Sequence, residues 1–210
     1  MRDKWWFPIG YMFVVTAFFS SIVIGFAQLT SDRVEANEYL AFERAVVAVL
    51  PGLFDPQDSR LELHRKFVEL VGRPDDASGG ACTLAQDGKI VAYALPIEGQ
   101  GFWAPIKGVV GLEADRRTIT GIAFYEQNET PGLGAQITTV GFTSQFEGKV
   151  LSLGDKPLSI KPPGVPLGEN DVHAVTGATQ TSTRLEKMLN DSLARWRSKL
   201  VEAGQASSAL

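Results

Sequence analysis

The first apolar stretch of the chain is long enough to cross a membrane. Residues 5–29 contain no charged side chain, and Trp5, Trp6 and Tyr11 lie toward the beginning of the run. A transmembrane helix needs about 20 apolar residues, and aromatic rings favour the membrane interface. A cleaved signal peptide has a shorter apolar region and a small-x-small cleavage site, which the sequence AQLTSDR matches poorly. The pattern therefore predicts an uncleaved transmembrane anchor over residues 1–30.

The charges that flank the anchor predict its orientation. Arg2 and Lys4 precede the apolar run, whereas Arg33 follows it among acidic residues. Positively charged residues favour the cytoplasmic side, so we expect a cytoplasmic N-terminus and residues 30–210 outside. The sequence predicts a single-pass protein of the bacterial cytoplasmic (inner) membrane, with its main domain extracytoplasmic or periplasmic.

Helical and strand-like patterns follow one another after the anchor. Residues 34–50 and 61–71 show apolar residues at helical spacing, and we assign residues 31–78 to a helical linker region. Between residues 82 and 126, short β-type runs are separated by turn signals such as Asp87-Gly88. These runs predict an antiparallel meander.

The C-terminal third is predicted to return to helix. A helix is expected around residues 139–146, and the Pro- and Gly-rich residues 154–170 predict an extended loop. A final amphipathic helix is predicted over residues 182–201, with a frayed tail at 204–210. The fold class is therefore α+β: a single N-terminal transmembrane helix, then one domain at 79–203 with a twisted antiparallel sheet and packed helices.

Composition narrows the chemistry that the chain can carry. The net charge of -4 gives no reason to expect nucleic-acid binding. A single cysteine, Cys82, excludes an intramolecular disulfide and a multi-thiolate metal site, and two histidines are too few for a histidine-rich metal site. We therefore predict no metal site, and redox chemistry requires an organic cofactor or a partner. Cys82 is most simply a buried small hydrophobe.

The most informative stretch is TGATQTS, residues 176–182, which leads into the last helix. The amides at a helix N-terminus suit a phosphate group, and small residues allow close approach to the backbone. Thr183 and Glu186 have the spacing of a capping box. Taken alone, these features favour an ordinary capped helix over a ligand site.

The pattern TGATQT also resembles the flavin-attachment motif of the FMN-binding domain family, which includes subunits of the ion-translocating Nqr and Rnf complexes. The resemblance implies that FMN is held covalently on Thr181 through a phosphoester, installed by a separate magnesium-dependent flavin transferase that uses FAD. The other fixed motif positions, implied to contact the cofactor, are Thr176, Gly177, Ala178 and Thr179. His173 departs from the pattern, since the family often has an acidic residue there, and we expect it to lie in a loop.

Two upstream segments carry the same resemblance. The sequence ETPGLG at residues 129–134 resembles a family loop that lines the isoalloxazine ring, which implies contacts from Thr130 and Leu133. Glu129 is either a flavin contact or a residue that holds this loop. The sequence GFW ends at Trp103, whose indole either stacks on the flavin or is an ordinary core aromatic.

The resemblance implies a membrane-anchored electron-transfer subunit within a Rnf- or Nqr-type ion-translocating oxidoreductase. The implied partners are the membrane, the other subunits of the complex and the flavin transferase. No residue resembles the catalytic group of an oxidase or a hydrolase, so we expect no catalysis by the chain alone. Trp103 and the phrase FYEQNETPGLG favour Nqr, whereas the short chain favours Rnf. The alternatives are a non-redox FMN-binding sensory or assembly protein, and an anchored domain without flavin.

Overall fold

The computed structural model describes residues 6–154 and 156–207. Arg2 and Lys4, on which the predicted orientation depends, lie outside the described residues, as does the end of the predicted tail, 208–210. The chain divides into two compact units, Met1–Tyr39 and Leu40–Leu210.

A single long helix, α1 (Trp6–Val49), begins in the first unit. It is long and apolar enough to cross a membrane, and the apolar part is not buried by the rest of the protein. The polar residues that follow the apolar run do not interrupt the helix. Thr30 Oγ1 donates to the carbonyl of Phe26 and Ser31 Oγ donates to that of Gln28, so both hydroxyls bond within the helix.

The second unit contains an antiparallel sheet, a small parallel sheet and packed helices. Its elements after α1 are, in chain order, α2 (Arg60–Leu70), β1 (Val71–Gly72), β2 (Cys82–Gln86), β3 (Lys89–Gln100), β4 (Pro105–Glu113), β5 (Ile119–Glu126), a 3-10 helix (Gly134–Thr138), α3 (Val140–Thr143), a second 3-10 helix (Ser144–Phe146), β6 (Ser159–Lys161), β7 (Asp171–His173) and α4 (Thr179–Ser207).

The large sheet is an antiparallel meander with the strand order β1-β2-β3-β4-β5. The predicted turn at Asp87-Gly88 joins β2 to β3, and both residues have positive φ, 51° and 73°. Such φ values match the twist of a two-residue hairpin. The predicted meander and the α+β fold class are confirmed.

The two faces of this sheet are buried by different helices. On β3, Tyr93 and Leu95 belong to one apolar cluster, while Ala92 and Ala94 belong to the other, as the alternation of a strand requires. The predicted apolar face of α4 packs in the first cluster through Leu185, Met188, Leu189, Leu193 and Trp196. The second cluster contains Ala45, Val46, Val47, Val49 and Leu50 of the α1 end and Leu63 of α2. Part of the predicted linker thus contributes to the core.

The end of α1 approaches the sheet at Gly111. A Cβ placed on Gly111 would overlap both the Thr120 hydroxyl and the carbonyl oxygen of Val49, so only glycine fits this contact without movement. The same carbonyl accepts a hydrogen bond from Thr120 Oγ1 at 2.6 Å. One of the carbonyls that a helix end leaves without an intrahelical donor is thereby satisfied.

The predicted capping box is wrong, because α4 begins at Thr179 and places Thr183 and Glu186 inside the helix. Glu186 instead reaches across to β6, where Oε2 accepts from the Ile160 amide at 2.6 Å and Oε1 lies 2.9 Å from Lys156 Nζ. Its carboxylate therefore fixes a neighbouring segment rather than its own helix start.

The predicted extended loop at 154–170 is wrong in part, because it contains β6. This strand pairs in parallel with β7, with Ser159 opposite Asp171. His173, predicted as a loop residue, lies in β7, and its amide donates to Gln145 Oε1 at 2.8 Å. Three-residue strands are too short to show a period, and their pairing comes from segments apart in the sequence.

Cys82 is buried, as predicted, with 1% of its surface exposed. It lies in β2 within the second apolar cluster. Burial disfavours the charged thiolate and raises the pKa of the Cys82 thiol to about 11. The reactivity of a thiol follows its thiolate fraction, so Cys82 is held in an inert form.

Replacing Gly111 with alanine should destabilise the fold by about 1–3 kcal/mol, because the added methyl overlaps the Val49 carbonyl. Chemical denaturation of both proteins measures the difference. Gly141→Ala is the matched control, since nothing lies within 4 Å of the added Cβ there. Equal stability of the two variants would contradict the close contact at Gly111.

Native Cys82 should react very slowly with a maleimide at pH 8, where a thiol of pKa about 11 is only about 0.1% ionised. In denaturant the pKa returns to about 8.5 and labelling should be at least about 100-fold faster. Raising the pH from 8 to 10 should accelerate labelling of the native protein. Rapid native labelling at pH 8 would show that the thiol is accessible.

Candidate functional site

Three segments that are distant in sequence meet at one end of the second unit. They are the turn between β3 and β4, the loop after β5 and the start of α4. Together they line a cavity of about 360 Å³, a size within the range of small-molecule sites. Its walls are Phe102, Trp103, Glu129, Thr130, Leu133, Gly134, Gly177, Ala178, Thr179, Gln180 and Thr181.

The carboxylate of Glu129 links all three segments. Only 5% of this residue is exposed. Oε1 accepts from the Phe102 amide at 2.8 Å and from the Trp103 amide at 3.1 Å. Oε2 accepts from the Thr181 hydroxyl at 2.6 Å. Since a buried charge requires hydrogen-bond partners, these three donors explain how the carboxylate is retained in the interior.

Glycines around Glu129 allow this close packing. A Cβ on Gly101 would lie 2.5 Å from Glu129 Oε1. A Cβ on Gly134 would lie 2.6 Å from Thr181 Oγ1 and 2.8 Å from Glu129 Oε2. Gly177 has a φ of +76°, which favours glycine, and precedes the start of α4 by two residues.

The rim of the cavity is apolar and exposed. Trp103 is 65% exposed, and its indole Nε1 donates to Thr130 Oγ1 at 3.1 Å. The rings of Phe102 and Trp103 meet edge to face with centroids 4.9 Å apart. Leu133 is also exposed. The structure therefore places Trp103 at the surface of the site and not in the core, which removes the interpretation of it as an ordinary core aromatic.

The structure brings together most of the residues singled out in the sequence. The predicted residues that line the cavity are Trp103, Glu129, Thr130, Leu133, Gly177, Ala178, Thr179 and Thr181. Thr176 is exposed and outside the lining residues. His173 lies away from the lining, with its Nε2 2.9 Å from the Val165 carbonyl.

Sequence reasoning missed Phe102, Gly134, Gln180 and Arg184 as residues of the site. Arg184 lies over the Phe102 ring, with 5.9 Å from its guanidinium carbon to the ring centroid. The helical spacing of residues 180–184 was a usable signal, because residues three and four apart share a helix face. The contact with Phe102 depends on the tertiary fold.

The sequence profile of the FMN-binding domain family matches residues 101–194, which include every lining residue of the cavity. This part of the chain is similar in sequence to FMN-binding domains. The predicted resemblance to that family is therefore confirmed.

Two sequence relatives are subunits of an oxidoreductase. The chain is 34% identical over 129 residues to the C subunit of the Na(+)-translocating NADH-quinone reductase of Vibrio vulnificus, with 57% of this chain and 51% of the relative covered. It is 40% identical over 114 residues to the corresponding C subunit of Neisseria meningitidis, with 53% of this chain and 42% of the relative covered. The chain thus spans about half the length of the curated relatives it matches.

Two crystal structures have the same fold. The C subunit of the Na(+)-translocating NADH-quinone reductase from Parabacteroides distasonis superposes with a TM-score of 0.66 at 23% identity, covering 79% of this chain and 94% of that one. The Shewanella oneidensis NqrC gives a TM-score of 0.64 at 21% identity, covering 78% and 96%. The sheet and its packed helices therefore have the fold of these two proteins.

The residues that line the cavity fit FMN. The first amides of α4 lack an intrahelical acceptor and suit a phosphate, and Gly177, with its positive φ, lies just before them. The exposed indole of Trp103 and the side chain of Leu133 offer apolar surface to a flat aromatic ring. Thr181 places a hydroxyl in the lining of the cavity, and only 3% of this residue is exposed.

Glu129→Ala should destabilise the domain by about 2–4 kcal/mol, because two backbone amides and the Thr181 hydroxyl lose a charged partner. Trp103→Ala should change stability by less than about 1 kcal/mol, since the side chain is largely exposed. Denaturant unfolding of both variants measures the contrast. An equal loss of unfolding free energy in the two variants would mean that the carboxylate does not link the three segments.

Proposed function

We propose that this chain is a membrane-anchored, electron-carrying subunit that holds FMN covalently on Thr181. The observation that carries the proposal is that Thr181 lines a cavity within the residues that match the FMN-binding domain family. The hydroxyl is directed at Glu129 and lies in the first turn of α4. A phosphate linked there lies next to helix amides, so the bond and the charge are accommodated by the same segment.

Bound FMN supplies reversible electron transfer, and the protein supplies retention, orientation and access. The phosphoester to Thr181 retains the cofactor outside the cytoplasm, where lost FMN is not easily replaced. Trp103 and Leu133 are exposed at the rim and orient the ring by stacking and apolar contact. An open rim leaves the ring accessible to a redox partner, as an electron carrier requires.

The proposed location and partners follow from α1 and from the relatives. We propose that α1 anchors the chain in the cytoplasmic membrane with residues 30–210 outside, and that residues 79–203 form the FMN-binding domain between a linker at 31–78 and a tail at 204–210. The named relatives are C subunits of the Na(+)-translocating NADH-quinone reductase. This favours an Nqr-type over an Rnf-type complex, with the other subunits and a flavin transferase as partners.

Thr181→Ala should abolish the covalent flavin, because the only atom proposed to carry the phosphoester is removed. Thr181→Ser retains a hydroxyl and should retain the adduct. The full chain is co-produced with an active flavin transferase and tested by ultraviolet in-gel fluorescence after denaturation and by intact mass.

The matched control is Thr183→Ala, which removes an exposed hydroxyl of the same helix outside the cavity and should leave the adduct unchanged. Peptide mass spectrometry then locates the modified residue. Covalent flavin on the Thr181→Ala protein would disprove the attachment site, and an unmodified wild-type chain would disprove covalent attachment.

A further inference from the structure

We infer that Glu129 is the general base for flavin attachment to its own chain, accepting the proton of the Thr181 hydroxyl as that oxygen attacks phosphorus. The inference rests on the proposed phosphoester at Thr181. It assigns part of the chemistry of attachment to the acceptor domain itself, in addition to what the flavin transferase provides.

The geometry of the pair supports proton transfer. Thr181 Oγ1 donates to Glu129 Oε2 at 2.6 Å, a short distance of the kind found for a hydroxyl donating to a carboxylate. A general base must lie within hydrogen-bond reach of the proton that it removes. Among the described residues that line the cavity, Glu129 is the only one with an ionisable side chain.

Two backbone amides hold the carboxylate in place. Its second oxygen, Oε1, accepts from the amides of Phe102 and Trp103, so rotation of Oε2 away from Thr181 would break both bonds. Gly134 adjoins the reacting pair, and a Cβ there would lie within 2.8 Å of both Thr181 Oγ1 and Glu129 Oε2. A side chain at position 134 would displace one of these two atoms, so glycine there preserves the hydrogen bond of the reacting pair.

The charges also favour this proton transfer. A carboxylate next to an arriving phosphate is repelled by it, and the repulsion is strong in a buried site. Taking the Thr181 proton converts Glu129 to a neutral acid at the moment when the phosphoryl group binds to the threonine oxygen. The neutral acid can then donate a hydrogen bond to the phosphodiester.

The reaction is a phosphoryl transfer from a flavin adenine dinucleotide. The bond between Thr181 Oγ1 and the flavin-side phosphorus forms, and the pyrophosphate bond to the adenylate breaks. AMP leaves with the electron pair of that bond, and the Thr181 proton passes to Glu129 Oε2. No atom changes oxidation state.

The test measures initial rates of flavin attachment to the full chain, purified without flavin and mixed with transferase, Mg²⁺ and FAD. Glu129→Gln keeps the size of the side chain but cannot take the proton, so attachment should be at least about 100-fold slower at neutral pH. Glu126→Gln is the matched control. Glu126 pairs with Lys107 on the neighbouring strand, outside the cavity, and its variant should react at the wild-type rate.

The pH profile separates a base from a merely structural residue. The ratio of the Glu129→Gln rate to the wild-type rate should rise about tenfold per pH unit, because hydroxide replaces the missing base. An attachment rate of the Glu129→Gln variant within about threefold of the wild-type rate would overturn the inference. A slow variant whose rate stays at the same fraction of the wild-type rate at every pH would overturn it as well.

Glu129→Asp provides a second measurement that applies even where the Gln variant does not fold. It keeps a carboxylate but withdraws it from Thr181 by one methylene, so attachment should be slower, with a rate ratio to wild type that does not change with pH. A wild-type rate for this variant would overturn the inference.

In all of these outcomes, an adduct on the wild-type chain leaves the proposed function intact, whereas an unmodified wild-type chain would refute the proposed attachment and the inference together.

Discussion

The hydrogen bonds of the Glu129 carboxylate join the β3–β4 turn, the loop after β5 and the first turn of α4. A charged group in the interior is costly unless every oxygen has a donor. Here two backbone amides and one hydroxyl meet that requirement, so the shape of the three segments and the charge depend on each other. The cavity is consequently shaped by the same hydrogen bonds that hold the carboxylate.

The large sheet supports this arrangement because helices cover both of its faces. Alternating residues of β3 divide between the cluster with α4 and the cluster with the end of α1. Close packing is visible at Gly99, where a Cβ would lie 2.6 Å from Met188 Cγ of α4. The middle of α4 thereby packs closely against the end of β3. That strand leads directly into the segment that carries Trp103.

The site separates a buried attachment point from an exposed rim. Thr181 and Glu129 are buried, whereas Trp103 and Leu133 lie at the surface. In the proposed function this division has a physical purpose. The bond that retains the cofactor is protected, while the redox-active ring remains accessible to partners anchored in the same membrane.

The sequence by itself determined the apolar span, the meander strands and the last amphipathic helix, because each has a period or a length that local physics specifies. Its resemblance to a family also identified the segments 101–103, 129–134 and 176–181. Only the tertiary structure decided that Glu129 accepts a hydrogen bond from Thr181, which lies 52 positions further along the chain. The pairing of β6 with β7 and the start of α4 at Thr179 were also decided by the tertiary structure. These features depend on partners distant in the chain, and hydrogen bonds between distant segments leave no periodic trace in the sequence.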